Sequence, residues 1–227
     1  MDFRLVPRGE DRNYTGFLTK TIVYTGSLIL FLASFGLTIS SIAVPRWVSY
    51  DSPTFHYSYG LHRRCSSVEG ACWGFPQRED CHGEDRYFCS MWRSVGFLMS
   101  FAVVLEGMSL VAFLIVLSGG KRLRESGWKV LSLFILLSAV VQAASMGIVV
   151  SSFSLVLAQS ADRTVSHRQA YLFDNEKRFF PGWVLSDSWI FCTVSWCVSL
   201  FCAAALILAA YMLPSEGGYE LIPDNEG

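Results

Sequence analysis

Tyr59-Gly60-Leu61-His62-Arg63-Arg64-Cys65 stands inside a polar, cysteine-dense stretch, Trp47–Arg93, that separates two long apolar runs. The stretch holds four of the seven cysteines, Cys65, Cys72, Cys81 and Cys89, and closes on Trp92-Arg93. Their spacing, Cys-x6-Cys-x8-Cys-x7-Cys, contains no Cys-x2-Cys knuckle of the kind zinc sites favour. Structural disulfides are therefore expected rather than a metal site, and four cysteines leave three pairings open. Phe55, Tyr57 and Tyr59 alternate with smaller residues, which predicts short strands.

Outward from this loop the chain is mostly membrane. Of its 227 residues 52% are hydrophobic and 16% charged. A hydrocarbon core about 30 Å thick takes about 20 residues of helix at ~1.5 Å per residue. Residues 22–44, 95–117, 130–153 and 189–212 each meet that length. The expected fold class is an all-α membrane protein, a four-transmembrane-helix bundle. The formal net charge of −1 gives no global pull toward nucleic acid. The polar N-terminal segment does not resemble a signal peptide, so the first span is expected to act as an uncleaved anchor.

Basic residues near the span ends set the expected orientation. Arg4, Arg8, Arg12 and Lys20 precede the first span, and Lys121, Arg122, Arg124 and Lys129 crowd the connection at 118–129. Both segments are read as cytoplasmic, with tails 1–21 and 213–227 on that side. The loops at 45–94 and 154–188 are then exoplasmic, where disulfides persist. The sequon Asn13-Tyr14-Thr15 would face the cytosol and stay bare. The basic patch follows from topology alone, and against anionic lipid each cation there would add about 1 kcal/mol.

Within the spans, Gly36 and Ser40, Ala143 and Gly147, and Ala205 and Ala209 are small residues four apart. Such pairs let helices approach closely, and packing inside the bundle is expected ahead of a homo- or hetero-oligomer. Glu106 lies near the centre of the second span, where a carboxylate is by default a functional hypothesis. It is read either as a proton or ion relay element or as bonded to a neighbouring helix through Gln142. Cys192, Cys197 and Cys202 are expected as buried small apolar residues. Trp47 reads as interfacial belt chemistry. The aromatic knot Phe179-Phe180-Pro181-Gly182-Trp183 is expected to pack on the larger loop.

The acidic tail carries Tyr219-Glu220-Leu221-Ile222, which resembles a sorting signal read by clathrin adaptors, with Tyr219 and Ile222 as the docking side chains. No metal-ligand pair in a span, nucleophile–base arrangement or phosphate-binding glycine loop appears, so neither enzyme nor cofactor is expected. The plasma membrane is the expected location, with an endosomal or vacuolar membrane as the alternative if Tyr219 acts.

The order of elements resembles the claudin superfamily: a span, a long loop with Trp…Gly-Leu-x-x-x-Cys…Cys, a span, a short basic loop, a span, a shorter loop and a last span. The matching residues are Trp47, Gly60, Leu61, Cys65, a second loop cysteine and Arg93. His62 stands where the family has a second tryptophan, and four loop cysteines replace the usual two. The resemblance implies a left-handed bundle topped by a small antiparallel sheet stapled by a loop disulfide. It also implies a non-enzymatic role in membrane organisation or cell-boundary contacts. Cys72 or Cys81 would be the counterpart of the family's second cysteine. The ending Asp224-Asn225-Glu226-Gly227 does not resemble the claudin tail that docks junction scaffolds.

Overall fold

The computed structural model describes residues 20–77, 81, 86–119, 123, 126–162 and 183–213. It contains four long helices: α1 (Lys20–Ala43), α2 (Arg86–Ser118), α3 (Trp128–Asp162) and α4 (Asp187–Met212). All four include a stretch long and apolar enough to cross a membrane, so the chain is a membrane protein with four spans among the described residues. Helices α2 and α3 outrun the apolar segments read from sequence, one beginning at Arg86 and the other reaching Asp162. Hydropathy marks what lipid must solvate, whereas helical hydrogen bonding continues as long as the turns find partners. In α2 the extra turns carry Cys89 and Trp92, both buried.

The bundle seam recurs in steps of four and three. In α1 it is Lys20, Tyr24, Ser27, Phe31, Ser34, Thr38 and Ser41. In α4 the positions Ser188, Cys192, Ser195, Ser199, Cys202, Leu206 and Ala209 follow the same rhythm. A 3.5-residue period keeps one stripe facing its neighbours, as in coiled packing. The seam is rich in small and hydroxyl residues, while Ile29, Leu32, Val104, Leu114, Leu133 and Leu208 point outward. That pattern inverts a soluble bundle and suits a lipid solvent.

Several small-residue expectations need correcting. Gly36 and Gly147 are exposed, Ser40 and Ala143 only half-buried, because they lie off the seam that Ser34, Thr38 and Gln142 occupy. Ala209 does sit on the seam, with Ala205 half-buried beside it. Cys192 and Cys202 are buried as expected but Cys197 is exposed. Steps of five rotate it off the stripe its two neighbours share.

At the end of the bundle where α1 stops and α2 begins sits a sheet built from β1 (Val48–Asp51), β2 (His56–Tyr59), β3 (Arg63–Ser66), β4 (Ala71–Gly74) and β5 (Val184–Leu185). The order is β4-β3-β2-β1-β5, with each strand antiparallel to its neighbours. The fifth strand comes from the second loop, pairing Val48 with Leu185 and Ser49 with Val184. The β3–β4 turn ends on Gly70, whose φ of 62° lies in the left-handed region where a side chain would strain.

Candidate functional site

Two disulfides staple the sheet end. Cys65 and Cys72 bridge β3 and β4 at directly paired positions, so Cys72 is the partner among the alternatives left open by sequence. Cys81 joins Cys89, tying the end of the loop to the first turns of α2.

Three of the residues that carry the resemblance, Trp47, Gly60 and Leu61, gather where the sheet meets the bundle. Trp47 is fully buried and donates its indole N–H to the Ser41 carbonyl at 2.7 Å. It is therefore a core residue rather than an interfacial belt residue; the chain turns at Pro45 and folds the indole back over the helix end. Leu61 and Trp92 are buried in the same cluster, with Trp183 from the second loop. Trp92 donates its indole N–H to the Gly60 carbonyl at 3.1 Å. Gly60 has a steric reason to be glycine, because a Cβ there would lie 2.4 Å from Pro45 Cα. Arg93 stands apart from this cluster and is exposed on α2. Of the aromatic knot, Trp183 packs on the larger loop against Tyr50 and Tyr59; Phe179 to Gly182 lie outside the described residues.

Deeper in the bundle a polar box joins all four helices. Glu106 of α2 accepts a hydrogen bond from Gln142 Nε2 of α3 at 2.7 Å, and Thr38 Oγ1 of α1 lies 3.1 Å from the same Oε1. Gln142 Nε2 also reaches Thr38 Oγ1 at 3.1 Å. Thr38 in turn lies 2.6 Å from Ser195 Oγ of α4, and Ser34 bonds with Ser195 and Ser199 at 2.8 and 3.1 Å. Every member is fully buried. Glu106 Oε2 and Gln142 Oε1 have no hydrogen-bond partner among the described residues. The Glu106–Gln142 pairing was legible from matching depth. The four hydroxyl residues were missed, although Ser34, Thr38 and Ser41, and Ser188, Ser195 and Ser199, share the seam spacing that could have identified them.

The sheet's outer face is polar. Arg46 Nη1 pairs with Asp187 Oδ2 at 3.1 Å, joining the end of α1 to the start of α4. His56 Nδ1 lies 2.6 Å from Asp51 Oδ1 across the β1–β2 register. With Ser49, Ser58 and Ser186 they line a concavity of about 460 Å³. Exposed pairs of this kind are worth about 0–1 kcal/mol to the fold, so stability alone gives little reason for their clustering.

Lys129 is exposed, with its ammonium 5.9 Å from the Trp128 ring centre. The other basic-patch residues, Lys121, Arg122 and Arg124, and the tail residues Tyr219 and Ile222, lie outside the described residues. Among the described residues no cluster of three or more His, Cys, Asp or Glu side chains is arranged to hold a metal ion. No protein-family model matches the chain, and no curated protein matches it significantly.

Proposed function

We propose that this chain is a non-enzymatic, claudin-like tetraspan protein that organises membrane or cell-boundary contacts through an exoplasmic head. The observation that carries the reading is that β5 of the second loop completes the sheet of the first. The two loops thus present one surface, stapled by Cys65–Cys72 and held on the bundle by Trp47, Leu61, Trp92 and Trp183. A rigid surface with fixed charges loses little entropy on binding, which suits recognition of a partner. The basic α2–α3 connection and both tails face the cytoplasm in this reading, and the plasma membrane is its location.

Cells expressing the tagged chain should concentrate it where two expressing cells touch. The double variant Arg46→Glu, His56→Glu should reach the surface equally well yet spread evenly. Even distribution of the wild-type protein would refute the contact role. A wild-type signal on endosomal membranes that moves to the surface in Tyr219→Ala would instead make the tail an adaptor-read address.

A second reading, a channel or transporter or a regulatory subunit of one, is favoured by one observation: the two orphaned acceptors, Glu106 Oε2 and Gln142 Oε1. A proton or small cation would supply what they lack. Glu106→Gln in proteoliposomes should then abolish proton or cation flux that the wild-type protein supports. Equal fluxes leave the polar box a helix-packing device.

A further inference from the structure

Near the top of α2 a groove of about 600 Å³ is lined by Cys81, Cys89, Ser90, Arg93, Ser94, Phe97 and Leu98. Its lining changes character along the helix. Ser90, Arg93 and Ser94 come first, all exposed; Phe97, 70% exposed, follows one turn below and stacks on Phe101 at 6.4 Å. Ser94 donates its hydroxyl to the Ser90 carbonyl at 3.0 Å, so the Arg93 guanidinium and the Ser90 hydroxyl are the donors facing outward. The described ion pairs, Arg46–Asp187 and His56–Asp51, do not involve Arg93.

Helix length gives the depth. With Ser118, the last residue of α2, at one edge of the hydrocarbon, a core of about 30 Å ends roughly 20 residues up, near Leu98. Phe97 then meets the acyl boundary. Arg93 stands about 7 Å beyond it by the same rise, in the headgroup layer. A guanidinium matches a phosphate with two parallel N–H donors, and an exposed aromatic ring directly below offers a surface to an acyl chain.

We propose that this groove is a binding site for one glycerophospholipid in the leaflet on the sheet side, with its phosphodiester on Arg93 and Ser90 and an acyl chain along Phe97 and Phe101. The Cys81–Cys89 bridge forms the upper wall. The site rests only on the four-span architecture; it stands or falls separately from the contact role.

Native mass spectrometry of the full chain, purified in detergent and titrated with dioleoyl phosphatidylcholine, tests it. The wild-type protein should retain one lipid at concentrations where Leu114→Ser, a control on the far lipid-facing end of α2, retains it equally. Arg93→Gln should lower that occupancy about tenfold, and Phe97→Ser by several-fold, with Arg93→Lys between wild type and Arg93→Gln. Both side chains are exposed, so neither change disturbs the core. Arg93→Gln and Phe97→Ser proteins that keep the lipid as well as Leu114→Ser would overturn the site. Displacement of the lipid by equimolar glycerophosphocholine would overturn the acyl half and leave only a phosphate site.

Discussion

In the bundle, α1 turns Ser27, Ser34, Thr38 and Ser41 inward and leaves Ile29, Leu30 and Leu32 outside. At the sheet end the inward residues are Trp47, Val48, Leu61, Phe75 and Trp183, and the outward ones are Arg46, Asp51, His56 and Ser58. Both regions bury apolar side chains, Phe31, Phe113, Leu131 and Ile135 among them in the bundle. The bundle adds a buried hydroxyl seam and turns an apolar outside to lipid, whereas the head turns a polar outside to water. Lipid offers no hydrophobic drive for helix association, so close approach and hydrogen bonds between helices hold the bundle. Water drives the aromatic residues of the head together, but a patch this small needs staples, and two disulfides provide them. Trp47 sits where the two regimes meet.

The largest predicted effect follows from that position. Trp47→Ala removes a fully buried indole and its bond to the Ser41 carbonyl, and should cost about 3–5 kcal/mol. In detergent the head should lose its protection against proteolysis first, with the four helices retained by circular dichroism. Simultaneous loss of both would show that head and bundle fold as one unit and break the contrast. The next effect is smaller. Cys65→Ser opens a short loop between paired strands and should cost about 2–3 kcal/mol through the freer unfolded chain. A loss of unfolding temperature on reduction that is smaller in the variant, which keeps only Cys81–Cys89, than in the wild-type protein would assign the difference to this bridge.

Thr38→Val tests the bundle side. It keeps the shape of a residue that touches Glu106, Gln142 and Ser195 while deleting its hydroxyl. Interhelical hydrogen bonds in membranes are worth about 0.6 kcal/mol on average and ~1.7 at most, so the loss should fall in that range in a reversible detergent-unfolding titration. A loss of several kcal/mol would mean that the polar box nucleates the bundle and that the two regions are more alike than their compositions imply.

How much of this was legible follows from the same contrast. Four spans could be read because their signal is length, which needs no knowledge of neighbours. The Glu106–Gln142 bond was within reach because a carboxylate in lipid must find a partner and Gln142 lay at the right depth. Ser34, Thr38, Ser195 and Ser199 escaped because a hydroxyl in a span reads as merely small unless the four-three rhythm is traced. The joining of β5 to β1 escaped for a different reason: a two-residue strand has no periodicity to detect. The Cys65–Cys72 pairing was one of three possibilities until the β3–β4 register fixed it.

The smallest predicted effect concerns what sequence placed on the wrong face. Gly36 and Ser40 have the four-residue spacing of a close-packing motif, and at Gly36 an added Cβ would meet nothing within 4 Å. Ser40 spends its hydroxyl on the Gly36 carbonyl at 2.8 Å within its own helix. Gly36→Leu should therefore leave the stability of the monomer within about 0.5 kcal/mol, or raise it slightly through better helix propensity. The same unfolding titration used for Thr38→Val checks this, and the two variants lie only one half-turn apart on α1. A loss above about 2 kcal/mol at Gly36 would place it in a helix contact and reverse the seam assignment. If stability holds but the wild-type protein alone sediments as a dimer, the outward small face is an interface between copies. The inward hydroxyl seam and the outward glycine face would then serve two different associations on one helix.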